Sequence, residues 1–184
     1  MRRRHYFPKP YADFVARLRV PGGFLLVAAL AWFSQPTALA LAIGAAISAP
    51  GLWLRGWAAG HLAKNEELAT SGPYRYLRNP LYLGTLIAAA GLVAASRQAG
   101  LAILFGAVFL LVYLPVIELE EQRLRELFPD FEAYATRVPL LIPRLGYRGS
   151  GKKFRWSLYR RNQEYQALLG FLAGAAFLAW KAFR

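Results

Sequence analysis

Residues 71–84, SGPYRYLRNPLYLG, decide how the rest of the chain is read. They gather three tyrosine rings (Tyr74, Tyr76, Tyr82), two guanidiniums (Arg75, Arg78) and an Asn79-Pro80 turn just ahead of an apolar run. Ser71-Gly72-Pro73 breaks any helix that precedes it, and a proline at 80 suits the first turn of the helix that follows. Connectors between apolar segments are ordinarily plain and polar. This one has the composition to hold something polar at a membrane surface, and a second conspicuous patch, residues 118–134, follows the next apolar segments.

Working outward, five apolar windows approach the roughly 20 residues that cross a bilayer as a helix. They cover residues 22–34, 37–57, 81–96, 100–117 and 165–183. With 57% hydrophobic residues in a chain of 184, they exclude an ordinary soluble basic domain. The expected fold is all-α: a polytopic membrane protein of about five transmembrane helices with cytoplasmic cofactor-binding connectors. It reads as one domain over 1–184, with a basic anchor at 1–20, a binding core at 55–144 and a last helix at 165–183.

The net charge of +13 would suggest nucleic acid, but its placement argues for membrane topology instead. If five spans alternate from an inner N-terminus, every basic residue but Arg97, Lys181 and Arg184 falls on the inner side. Both unusual patches are then cytoplasmic, and anionic lipid headgroups are expected partners of the basic tails. A multi-pass protein of a bacterial inner membrane, with its N-terminus inside, is the expected location. The absence of cysteine excludes disulfides, thiolate metal sites and a cysteine nucleophile.

The basic residues 2–4 are followed too distantly by the first apolar run to form a signal peptide. His5 is expected in solvent, residues 11–20 as a short amphipathic surface helix, and Pro21-Gly22-Gly23 as the break before the first span. Gln35-Pro36-Thr37 makes the next connection a tight hairpin. The second window is rich in small residues, which lets helices approach closely, and Pro50 bends it. Residues 61–69 read as a helical extension, with His61 lacking the neighbours a metal site needs. Gly170 and Gly174 form a small-xxx-small pair expected to pack within the bundle.

Pro115, one turn before Glu118, is expected to bend the fourth span where it leaves the membrane, and past it the helix can be read at about 100° per residue. Ile117, Leu124, Leu127, Phe128 and Phe131 then form one stripe, and Glu120 and Glu121 fall inside it. An inward carboxylate needs a partner. Arg75 or Arg78 is one choice and a cationic ligand is the other.

These residues resemble a known family. Residues 72–84, GPYRYLRNPLYLG, followed by Glu120-Glu121-x-x-Leu124, Phe128, Tyr134, Val138-Pro139 and Ile142-Pro143, look like the isoprenylcysteine carboxyl methyltransferase and phospholipid methyltransferase superfamily. The resemblance covers roughly residues 55–144. It implies an integral membrane enzyme that uses S-adenosylmethionine to methylate a lipophilic acceptor, a lipid amine or carboxylate, entering from the bilayer. By the same resemblance Lys64, Leu68, Ala69, Tyr74, Asn79, Pro80, Leu81 and Tyr82 line the cofactor pocket and Glu120 holds the cofactor's amino acid portion. Glu118 or Glu121 would act as base where the acceptor arrives protonated. Asn79 stands where the carboxyl methyltransferases have histidine, which leans toward a lipid-amine or generic member. Val116 stands where eukaryotic carboxyl methyltransferases place a substrate-binding arginine. Two other readings stay open, an NADPH-dependent membrane reductase of the sterol type, against which Thr85 after Gly84 counts, and a non-catalytic membrane scaffold.

Overall fold

The computed structural model describes residues 7–144, 146 and 149–184; the basic residues 2–4 and His5 lie outside the described residues. The chain runs α1 (Lys9–Phe33), α2 (Ala38–Ala59), a 3-10 turn (Gly72–Arg75), α3 (Pro80–Ser96), α4 (Ala99–Val108), a π-helical turn (Phe109–Tyr113), α5 (Leu114–Leu127), α6 (Phe131–Ala135), α7 (Trp156–Arg161) and α8 (Glu164–Ala182). From α4 to α5 the chain is one continuous rod of 29 residues. Among the described residues three helices, α1, α2 and this rod, are long and apolar enough to cross a membrane, and α3 is a shorter apolar helix of 17 residues. Phe24, Leu25, Trp32, Leu39 and Ile103 all point outward. Such an apolar exterior is the surface of a polytopic membrane protein, whose helices satisfy their own backbone groups in hydrocarbon.

The scaffold is built on the α2–α3 pair. Gly44, Ser48 and Gly51 of α2 face Gly84, Ala88, Gly91 and Ala95 of α3, and the fit leaves no room for larger groups. A Cβ on Gly51 would come within 2.6 Å of both the Ala88 nitrogen and the Gly84 oxygen. The Ser48 hydroxyl completes the contact by donating to the Ala88 carbonyl at 2.9 Å. Small residues at these spacings give close packing where lipid offers no hydrophobic driving force. At the far end the tight turn forms as expected, with the Thr37 hydroxyl accepting from the Ala40 amide at 3.3 Å as an N-cap.

Three expectations are corrected. First, Pro21-Gly22-Gly23 does not separate a surface helix from a span: α1 is continuous through Pro21. Residues inside a membrane helix accommodate such interruptions because neighbouring groups and small local adjustments re-satisfy the backbone. Second, α2 stops at Ala59, and residues 61–69 are turns rather than a helical extension. The carbonyl of its last residue and two just past its end are taken by α7 and its flanks. The Asn162 amide donates to Ala59 and Leu62 at 2.9 and 2.8 Å, and the Arg155 amide donates to Gly60 at 2.9 Å. Third, the irregularity near Pro115 lies earlier, in the π-helical turn. Proline has no N–H for the Leu111 carbonyl one turn back. The Tyr11 hydroxyl from α1 donates to that oxygen instead, at 2.6 Å.

Helix α8 is fastened at both ends. Glu164 at its start forms a paired contact with Arg55 of α2, and Lys181 near its end donates to the Ala31 and Trp32 carbonyls of α1 at 2.9 Å each. Gly174 lies toward Leu92 of α3, whereas a Cβ on Gly170 would meet nothing. Among the described residues, Gly174 is thus the member of the small-residue pair that faces a neighbouring helix.

Candidate functional site

Arg78 and Glu121 are separated by two helices in sequence yet belong to one packed unit. Residues 139–144 run beside residues 76–79: the Arg78 amide donates to the Pro139 carbonyl at 2.9 Å, the Asn79 amide to Leu140 at 3.2 Å and the Arg144 amide to Tyr76 at 2.9 Å. Beneath them Phe131, Tyr134, Ala135 and Val138 form a buried cluster on which Leu68, Leu124 and Phe128 pack. The Tyr134 hydroxyl donates to the Tyr74 carbonyl at 2.8 Å, tying the cluster to the connector.

Arg78 is the central tie. Its Nε and Nη2 donate to the two oxygens of Glu121 at 2.6 and 3.1 Å, and Nη1 donates to the Ala135 and Val138 carbonyls at 2.8 Å each. Asn79 Nδ2 reaches Glu121 Oε1 at 3.4 Å, and Arg125 reaches Oε2 at 3.5 Å. The Glu121 side chain is only 7% exposed, so its charge is met by a paired and hydrogen-bonded arrangement that burial requires. Of the two arginines weighed as its partner, Arg78 is the one; Arg75 lies instead over the Tyr76 ring, 5.9 Å from its centroid.

The two glutamates of the stripe part company. Glu121 turns inward, while Glu120 is half exposed. Tyr82 donates its hydroxyl to Glu120 Oε1 at 2.8 Å, and Arg19 of α1 approaches both, 3.3 Å from the tyrosine oxygen and 3.5 Å from the carboxylate. Asn79, Pro80, Leu81 and Tyr82 therefore stand where the connector meets α5. Asn79 and Pro80 are buried, Leu81 and Tyr82 half-buried. Tyr74 is buried as well; burial first, then Tyr134 and the carboxylates of Glu120 and Glu164, push its hydroxyl above its ordinary range, so it stays neutral. Leu68 and Ala69 are half-buried beside the cluster, Lys64 is exposed, and Glu118 is half-buried on the neighbouring turn of α5.

Tyr82 also faces a second environment. Between α1, α3 and the rod lies an apolar cavity of about 250 Å³, with Leu26, Leu30, Leu86, Ala89, Phe105 and Tyr113 among its walls. Tyr113 meets Tyr82 edge-on at 6.2 Å and stacks on Phe109 at 6.3 Å. Both belong to the π-helical turn, an irregularity that recurs at functional sites because it re-aims side chains. One tyrosine thus joins a polar corner to an apolar chamber.

Behind the site, Arg55 forms a fork on Glu164, 2.6 and 2.9 Å, and also donates to the Leu81 carbonyl at 3.3 Å and to Thr85. It is a structural tie of α2, α3 and α8 at the base of the connector. His61 is buried with Nδ1 2.8 Å from Ser71 Oγ and its ring against Gly72. Gly72 has φ +56°, a left-handed backbone that favours glycine. Among the described residues no group of three or more His, Asp or Glu side chains converges on a metal position.

Sequence reasoning missed Arg19, Tyr113 and the cavity. Arg19 was absorbed into an N-terminal anchor, and its partners lie 63 and about 100 positions away, beyond any local pattern. Tyr113 sits in an apolar window with nothing to mark it. Only Pro115 hinted that the helix there is irregular.

Residues 39–130, half of the chain, match the phospholipid methyltransferase family. The chain is 38% identical over 109 residues to the "Cobalt-zinc-cadmium resistance protein CzcN" of Cupriavidus metallidurans, a match covering 58% of this chain and 50% of that protein. It is 32% identical over 140 residues to the "Nickel-cobalt-cadmium resistance protein NccN" of Alcaligenes xylosoxydans xylosoxydans, covering 76% and 60%. The matched regions thus span about half to three-fifths of these curated relatives. No solved structure matches the chain.

Proposed function

The chain belongs to the phospholipid methyltransferase family, and from that premise we propose that it transfers a methyl group from S-adenosylmethionine to a lipophilic acceptor at the cytoplasmic face of a membrane. The observation that carries this reading is the double role of Tyr82, which hydrogen-bonds Glu120 on one side and walls the apolar cavity on the other. A polar corner and an apolar chamber meeting at one side chain suit a charged cofactor and a greasy acceptor that must meet at a single point. In this reading five helices span the bilayer, α3 and α8 joining the three longer ones, with the N-terminus and the site inside because the basic residues concentrate there.

The residues present fit the cofactor. Glu120 offers an oriented carboxylate with an exposed side for its ammonium group, and the ring faces of Tyr82 and Tyr113 favour an onium centre. Lys64, Leu68, Ala69, Tyr74, Asn79, Pro80 and Leu81 belong to the same proposed lining. When bound, S-adenosylmethionine supplies a methyl group already activated by the sulfonium charge. The chain's own part is then orientation and exclusion of water. Glu121, bound on both oxygens by Arg78, Asn79 and Arg125, serves best to hold the two segments together, and Glu118 on the neighbouring turn is the second carboxylate of the reading that would accept a proton where the acceptor arrives protonated.

Incubation of the purified protein in nanodiscs with methyl-labelled cofactor and a broad lipid extract, followed by mass spectrometry of the lipid fraction, tests the reading. Labelled lipid is expected. Cofactor binding without any labelled lipid would favour a scaffold, and NADPH binding in its place would favour a reductase. Membranes from metal-stressed cells belong in the lipid panel, because both curated relatives are named for metal resistance.

A further inference from the structure

Arg19 and Glu120 are 101 positions apart in the chain and lie side by side, each about half exposed. Their side chains are 43% and 50% exposed, and an ion pair so placed contributes only about 0–1 kcal/mol to stability. Stability is thus a weak reason for the pair. Its unused atoms are more informative. Both protein contacts of Glu120 fall on Oε1, from Tyr82 at 2.8 Å and from Arg19 at 3.5 Å, and Oε2 has no partner among the described residues. Among the described residues both contacts of Arg19 use Nη1, which leaves Nε and Nη2, a planar fork matched to a carboxylate, without a partner there. Tyr82 bridges them and fixes the spacing of one acceptor oxygen beside one two-pronged donor. An α-amino acid zwitterion carries the complementary pair, an ammonium and a carboxylate on one carbon.

We propose that Arg19 is the carboxylate-binding half of an amino acid zwitterion site whose ammonium-binding half is Glu120. This deepens the cofactor reading above and rests on it. Arg19 lies outside residues 39–130, the part that matches the family, so the first helix of this chain completes a site whose other groups lie within that part. The same helix walls the apolar cavity through Gly23, Leu26 and Leu30, so its position bears on both chambers.

The test is calorimetric titration of the full chain in nanodiscs with two ligands, S-adenosylhomocysteine, which carries both groups, and decarboxylated S-adenosylmethionine, which lacks the carboxylate. Arg19→Gln is expected to weaken the first by tenfold or more and leave the second within about twofold. Glu120→Gln is expected to weaken both, and Glu126→Gln neither. Arg17→Gln, which removes the same charge from an exposed position on the same helix, is expected to leave both unchanged. Equal weakening of the two ligands by Arg19→Gln would show a merely structural role, and tighter binding would show that Arg19 blocks the site; either overturns the proposal. If the unaltered chain binds neither ligand, the cofactor reading falls and this inference falls with it. Binding by the unaltered chain that Arg19→Gln leaves untouched sinks this inference alone.

Discussion

Glu121→Gln separates the tie from the site. The substitution keeps the shape of the side chain and one acceptor oxygen but removes the charge facing Arg78, whose side chain is 13% exposed. Breaking a buried ion pair from one side costs about 3–5 kcal/mol. The lower end, about 3 kcal/mol, applies here, because Arg78 keeps its bonds to the Ala135 and Val138 carbonyls and the new amide keeps one acceptor. For a chain of this length each kcal/mol moves the melting temperature by about 2–4 °C, so a fall of about 6–12 °C is expected. Glu120→Gln disturbs only a half-exposed pair contributing about 0–1 kcal/mol and should move it by no more than about 4 °C. The readout is the apparent melting temperature in nanodiscs, followed by tryptophan fluorescence, with Trp57 in ring contact with Tyr76 of the connector. Equal shifts for the two variants, or a Glu121→Gln protein that melts within 2 °C of the unaltered chain, would refute the assignment of Glu121 as the tie.

Three further outcomes follow from the geometry. Ala89→Phe fills part of the apolar cavity and is expected to cut labelled lipid formation by tenfold or more while leaving S-adenosylhomocysteine affinity within about twofold; equal loss of both would detach the cavity from the acceptor. Gly51→Val forces methyl groups onto the backbone of α3 and should cost about 3 kcal/mol or more, seen as loss of the monodisperse peak on size exclusion, whereas Gly106→Ala, with open space at its Cβ, should be neutral. His61 is held below its ordinary value of 6.5, first by burial and then by the nearby positive charge of Arg155. The unfolded chain therefore takes up the proton first, so this group's contribution is fully present above about pH 6.5 and declines as pH falls toward the folded value. Melting temperatures from pH 7.5 to 5 should show that decline, and His61→Gln should flatten it; Glu67, whose carboxyl is lowered chiefly by its bond with Lys152, acts in a separate window below about pH 4.5.

Much of the architecture was legible because it depends on short-range patterns. The apolar windows marked α1, α2, α3, the rod and α8, because a run of apolar residues is a property of neighbours in the chain. The small residues of the second window marked the helix that approaches α3 most closely. The two patches were visible because tyrosine, arginine and glutamate are expensive beside hydrocarbon and stand out there. Where the reading failed, a distant group had intervened. Residues 61–69 are acceptable helix formers, but Asn162 and Arg155 claim the carbonyls that would have continued α2. Pro21 looked like a break, yet α1 runs straight through it.

The sequence by itself determined that this is an all-α membrane protein with two polar patches at the ends of apolar helices, because composition and period are properties of neighbouring residues. Which of two adjacent glutamates is buried, which arginine neutralises it, and that a residue from the first helix reaches the other were decided only in three dimensions. A carboxylate's role depends on the charges that fold brings within about 4 Å, and those charges are supplied here from as far as 101 positions away in Arg19 and 43 in Arg78.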